Sequence, residues 1–187
     1  KTMKRIKMKR SAQLGIGFCV ILASLTFLGL TQGWYFSSQI CTEDSLRGLY
    51  FDPEEKIAEV QVGNKRIYLY TNQEQDKIAV MGAQRKGFVY EPFGGFINIV
   101  MNSEEAYDLQ MVENDGIYIA VIVRRDPCVA RVEAQLNNGL TWIAEQWHDD
   151  FALIALEIPE ASVSCWPGIY RALDKDGRVL MERTVLG

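Results

Sequence analysis

From Ser11 to Thr42 the chain carries no charged residue, whereas the ten residues before it hold Lys1, Lys4, Arg5, Lys7, Lys9 and Arg10 and no acid. Inside that window LGIGFCVILASLTFLGL is almost continuously apolar, and with its flanks the run extends from Leu14 to Phe36. A helix needs roughly 20 apolar residues to cross the hydrocarbon core of a bilayer, while the apolar part of a cleaved signal peptide has about 7 to 15. The leading cations predict a cytoplasmic N-terminus, and Trp34, Tyr35 and Phe36 stand where interfacial aromatics gather. The expectation is a basic cytoplasmic tail over 1–10, a transmembrane signal anchor over 11–36 and an extracytoplasmic remainder.

Two other fates are weighed against a retained anchor. Thr31-Gln32-Gly33 offers a small residue after which a peptidase could cut, although Thr in the outer recognition place is poorer than Ala. A lipid on Cys41 would want small residues before it, and Ile40 is bulky. Cys19, within the span, reads as a small apolar residue. The lipid bilayer is therefore the expected partner of residues 11–36. A homodimer through Gly29 and Gly33, spaced as in close-packed membrane helices, or through a bridge at Cys41, is a further expectation.

The whole chain of 187 residues has a net charge of −4, so Ser11–Gly187 carries −10. A globular part this acidic repels phosphate backbones, which argues against nucleic acid as a partner. Cys41 to Glu55 (CTEDSLRGLYFDPEE) is polar, acidic and broken by Pro53, and 37–55 reads as a stalk. Beyond it the pattern is strand-like. IAEVQVG and RIYLYT flank Gly63-Asn64, a hairpin turn, and KIAVMGA and GFVY follow, with Gly94-Gly95 expected to break the chain before FINIVM. Asn102-Ser103-Glu104-Glu105 could cap a short helix, although YDLQMV also fits a strand. IYIAVIVRR is apolar on both faces, the mark of a central strand. In VARVEAQL, Ala130, Val132, Ala134 and Leu136 share one face and Arg131, Glu133 and Gln135 the other, before Asn137-Asn138-Gly139 turns the chain. FALIALEI is a further buried strand, and GIYRALD and RVLMERTV close a last hairpin.

Short strands with turn signals at regular spacing predict an all-β fold. The expected form is a sandwich-like (Ig-like) extracytoplasmic module over 104–187, alone or with a smaller β-module over 56–103, behind one N-terminal transmembrane helix.

The run GIYIAVIVRRDPCVARVEAQLNNGLTWIAEQ, with FALIALEIPE and IYRALDKDGRVLMERT after it, resembles ectodomains of small membrane-anchored or secreted envelope proteins of Gram-positive, Bacillus-like bacteria. The resemblance covers Gly116 to Thr184. Its motifs form turns and strands, so it implies topology and compartment and assigns no catalytic residue.

Motifs that carry chemistry are scarce. G-x-S-x-G, H-E-x-x-H, S-x-x-K, C-x-x-C and Walker loops do not occur. The single histidine, His148, is followed by Asp149 and Asp150. A carboxylate that orients an imidazole would make it a base, and a membrane-anchored hydrolase built on His148 is the alternative reading. Against it, neighbours in an extended segment point to opposite faces. One His and scattered Cys give no zinc spacing, and Asp174-Lys175-Asp176-Gly177 lacks the rest of a calcium loop, so neither metal nor cofactor is expected. Cys128 and Cys165 flank prolines at strand ends and are the candidate disulfide, with two separate thiols as the alternative. Aromatics are plentiful: Tyr90, Phe93, Trp142 and Tyr170 read as core, whereas Trp147 and Trp166, with His148, lie in less regular segments and are the candidate binding residues. The expected function is non-catalytic: binding, sensing or assisting at the cell envelope, with another envelope protein or a wall component as partner.

Overall fold

The computed structural model describes residues 2–31, 35–74, 76–99, 105–114, 116–158 and 168–185. The protein is mostly β, with three antiparallel sheets and two helices among these residues.

Helix α1 (Thr2–Thr31) takes in the basic tail and most of the apolar run. Its side chains are described continuously over 15–29, and there Ile16, Phe18, Val20, Ile21, Leu22, Leu25, Phe27 and Leu28 are all 54–68 % exposed. At 100° per residue these positions point all around the helix rather than along one stripe. Among the described residues no helix is long and apolar enough to cross a membrane.

The segment expected as a stalk is in part a packed helix, α2 (Ser38–Gly48). Ser37 caps it, its hydroxyl accepting from the Ile40 N–H. Ser38, Cys41, Thr42 and Leu46 fall at the i, i+3, i+4, i+8 spacing of one helix face and are its buried residues. That face lies on a four-stranded meander, sheet A, made of β1 (Glu55–Val62), β2 (Lys65–Thr71), β3 (Lys77–Lys86) and β4 (Val89–Ile99). Leu46 and Phe51 pack on Tyr68, Tyr70, Ala79 and Met81. The polar members of the stripe are satisfied by the sheet: Ser38 Oγ lies 2.6 Å from the Tyr68 hydroxyl and Thr42 Oγ1 2.7 Å from that of Tyr70. Cys41 is 0 % exposed. With α2 on the sheet its thiol is out of reach of a second copy, so the expected Cys41 bridge does not suit this arrangement.

The glycines at 94 and 95 do not end a strand, and GFVY and FINI belong to one strand, β4. Met81 pairs with Gly95 and Gly82 with Phe93, so Gly94 is the extra residue of a bulge, with φ 31°. A Cβ on Gly95 would lie 2.2 Å from the Val80 carbonyl oxygen, so the close backbone approach there requires glycine.

The central layer is sheet B, with β5 (Tyr107–Asn114), β6 (Ile117–Arg124) and β9 (Phe151–Glu157) in the order β5-β6-β9. Strand β6 is buried from Ile117 to Val123, because both of its faces are covered. Ile117, Ile119, Val121 and Val123 join Ile67, Leu69, Ile78 and Val80 of sheet A in one core. Tyr118, Ala120 and Ile122 face the opposite core with sheet C, which is made of β7 (Arg131–Leu136), β8 (Thr141–Ala144), β10 (Gly168–Leu173) and β11 (Val179–Val185) in the order β11-β10-β7-β8. There Val132, Ala134, Leu136, Trp142, Ala144, Tyr170 and Ala172 supply the inner face. The layers are thus α2, sheet A, sheet B and sheet C. Residues of both expected modules contribute to the one core between sheets A and B. Residues 102–104 of the expected cap, and Gly33, lie outside the described residues, whereas YDLQMV is strand β5.

The turn readings hold. Gly63, Gly139 and Gly177 have φ of 57°, 84° and 81°. Asp174 Oδ1 accepts from the N–H groups of Asp176 and Arg178, so its carboxylate organises the turn.

Candidate functional site

The candidate residues around His148 belong to the link between β8 and β9. His148 and Phe151 exchange backbone hydrogen bonds (2.8 and 3.0 Å), which makes Asp149-Asp150 the tip of a tight turn with Asp149 at φ 53°. His148 is exposed. Arg124 at the end of β6 fixes the turn from below: its Nε and Nη2 donate to Asp150 Oδ1 at 3.1 and 3.0 Å, and Nη2 also donates to the Asp149 carbonyl. The Asp150 carboxylate is therefore engaged with a guanidinium.

Trp147 has a structural assignment. Its Nε1–H donates to the Ala130 carbonyl at 2.9 Å, its ring packs against the core between sheets B and C, and the Arg124 guanidinium covers it at 4.9 Å. It ties the β8–β9 link to the segment entering β7. Trp147→Phe keeps an aromatic group but replaces the indole by a smaller phenyl ring and removes the donor, leaving the Ala130 carbonyl to find another partner. A loss of about 1 kcal/mol in chemical denaturation is expected, against less than about 0.5 kcal/mol for the exposed His148→Ala. Equal losses would deny Trp147 this bracing role. Trp166 lies outside the described residues, so Trp147 and His148 are the placed members of the expected cluster.

Cys128 is exposed and free, and Cys165, its candidate partner, lies outside the described residues. The Asp126 side chain next to Cys128, first through a hydrogen bond and then through its charge, raises the thiol pKa above the ordinary value.

Two shallow depressions lie on the outer face of sheet C, which no residue type announces in the sequence. Alternation on β7 sends Val132, Ala134 and Leu136 inward and Glu133 and Gln135 outward, and the register then aligns two rungs across the sheet. One rung is Ile143, Glu133, Arg171 and Glu182; the other is Thr141, Gln135, Ile169 and Thr184. A shallow depression of ≈ 370 Å³ is lined by Glu133, Gln135, Thr141, Ile143, Ile169 and Arg171. A second, of ≈ 390 Å³, adjoins it through Gln135 and Ile169 and reaches Thr184. Arg171 Nε donates to Glu182, while Glu133, on its other side along the rung, is ion-paired with Arg131 at 3.0 Å. Ile143 is 53 % exposed at the rim. The face offers apolar contact beside amide, hydroxyl and paired ionic groups.

Set against known proteins, the chain matches no family model, no curated protein and no solved structure. Among the described residues no group of three or more His, Cys, Asp or Glu side chains is placed to hold a metal ion.

Proposed function

We propose that the chain is a single-pass membrane protein whose extracytoplasmic β-domain acts by binding, as a sensing or accessory component of the cell envelope. The observation that carries the anchor is the exposed, all-round apolar surface of α1. Leaving apolar surface in water costs roughly 25 cal/mol per Å², and a helix apolar on every side calls for an apolar surrounding on every side. A hydrocarbon core supplies that, and the cations at its N-terminal end favour a cytoplasmic side for that end. We read 104–187 as an Ig-like sandwich, with three strands (β5-β6-β9) facing four (β8-β7-β10-β11) among its described residues, which presents the outer face of sheet C as the contact surface for another envelope protein or a wall component. The alternative, an anchored hydrolase using His148, has less support, since Asp150 is held by Arg124 and His148 stands on an exposed turn.

The natural thiols supply a test. In full-length chain carrying Cys165→Ser, a membrane-impermeant maleimide added to intact cells at mildly alkaline pH is expected to label Cys128. Labelling of Cys128 only after lysis would overturn the extracytoplasmic placement. A mature chain beginning after Gly33 would overturn the retained anchor.

A further inference from the structure

The end of sheet A nearest to α1 differs in chemistry from its far end. Tyr35 pairs with Tyr90 on the free edge of β4, N–H to carbonyl in both directions at 3.0 and 2.6 Å. That pairing sets the next residue, Phe36, against Phe88 at the tip of the β3–β4 hairpin, with ring centroids 6.4 Å apart and planes within 10°. Both rings face solvent, Phe36 at 59 % and Phe88 at 79 % exposure. The β1–β2 turn stands at the same end, since Asn64 and Arg85 are joined by hydrogen bonds. The two hairpins carry Lys65, Arg66, Arg85 and Lys86 there, against Glu59, Glu91 and the approaching Glu157. The far end gathers Asp52, Glu54, Glu55, Glu74 and Asp76, with Lys56 and Lys77. Exposed Leu49 and Tyr50 stand toward the far end too, but within an acidic domain the stacked phenylalanine pair and the larger group of cations lie together at one end, and it is the end tethered to α1.

The tether is short. From Thr31, the last residue of α1, to Tyr35 the chain can extend at most about 14 Å. If α1 occupies the bilayer, Phe36 and Phe88 cannot lie far from its outer interface. There apolar phenylalanine rings bury at the boundary of headgroups and acyl chains, and cations meet lipid phosphates.

We propose that this end of sheet A is a membrane-docking surface. The stacked Phe36–Phe88 pair enters the outer interface of the bilayer that holds α1, and Arg85 and Lys86 bind lipid phosphate beside it. The β-domain then stands on two feet, the end of α1 and the β3–β4 hairpin, and its orientation is fixed. The inference rests on the anchored reading and adds a contact which that reading does not require.

The test uses full-length protein with Cys19, Cys128 and Cys165 changed to Ser, which leaves only the buried Cys41. An environment-sensitive fluorophore is placed at Phe88→Cys or, as control, at Leu180→Cys on β11. The protein is reconstituted in vesicles of phosphatidylcholine and phosphatidylglycerol. The probe at 88 is expected to emit to the blue of the probe at 180 and to be quenched by lipids carrying a nitroxide near the headgroup. Arg85→Glu with Lys86→Glu should reduce that quenching. Water-like emission at 88 in protein that still resists alkaline carbonate extraction would overturn the docking and leave the anchor standing. Equal quenching at 88 and 180 would overturn it too, because the contact would then not be specific to this end. Release of the protein by carbonate would overturn the anchored reading first, and the docking with it.

Discussion

Ile119→Ala and Ile122→Ala are each expected to destabilise the β-domain by about 2–5 kcal/mol, the range for deleting a buried branched side chain whose cavity only partly collapses. Both isoleucines are 0 % exposed on the same strand, β6, yet they serve different cores. Ile119 packs with Ile67, Leu69 and Val80 of sheet A, and Ile122 with Val132, Ala134 and Trp142 of sheet C. Since β6 pairs with both β5 and β9 while lining both cores, opening either core leaves one face of the central sheet in water. Each variant should therefore keep a single transition, shifted to lower denaturant with an unchanged slope. The side chains point to opposite faces, and among the described residues their two cores have no member in common, so the double variant should lose about the sum of the two. Matched probes are amide hydrogen exchange on β2 for the sheet A side and on β7 for the sheet C side. An early loss of the first alone in Ile119→Ala would show two separately folding units, and the shared-core description would fail.

Strand content was legible because alternation is local. Val132, Ala134 and Leu136 against Glu133 and Gln135 declare an inner and an outer face, and the apolar faces of IYIAVIV announce a strand covered on both sides. What covers those faces is set by contacts far apart in sequence. Ile119 meets Leu69 and Tyr118 meets Tyr170, and no local pattern chooses such partners. Helix α2 was hidden for a different reason. Its buried stripe consists of Ser38, Cys41, Thr42 and Leu46, and two of these become core-compatible only because Tyr68 and Tyr70 bring hydroxyl groups to them. Read alone, the segment is merely polar. Gly94-Gly95 misled in the same way, since a bulge within a strand and a break between strands use the same residue. Of the candidate site residues, Trp147 stood out by type, but its hydrogen bond to Ala130 could not be foreseen from its own segment. The outer face of sheet C was visible as the polar half of an alternation, and nothing in its composition distinguishes a contact face from a solvated one.

Stability should fall as pH rises from about 9 to about 12, and Cys41→Ala should flatten that fall. Burial on the face of α2 turned to sheet A, and after it the charges of Asp44 and Glu91, push the Cys41 thiol from 9.0 up to about 12. In the unfolded chain the thiol releases its proton near its ordinary value, while in the folded domain it keeps it. Between those two pH values the unfolded state binds fewer protons, so ∂ΔG/∂pH is negative. The contribution is fully present below pH 9 and is lost as pH rises through about 12. Each pH unit in which only the unfolded chain is ionised costs about 1.4 kcal/mol. Tyr70, also raised by burial although its hydrogen bond with Thr42 opposes the shift, adds a loss of the same sign above its ordinary value of 10.0. The variant therefore keeps a residual alkaline slope, and the difference between wild type and Cys41→Ala isolates the thiol. Urea midpoints measured through this window should converge for the two proteins as pH rises, because the wild type loses a contribution the variant never had. Parallel profiles would mean that Cys41 reaches solvent in the folded state, and α2 would then have to be a helix that readily leaves sheet A.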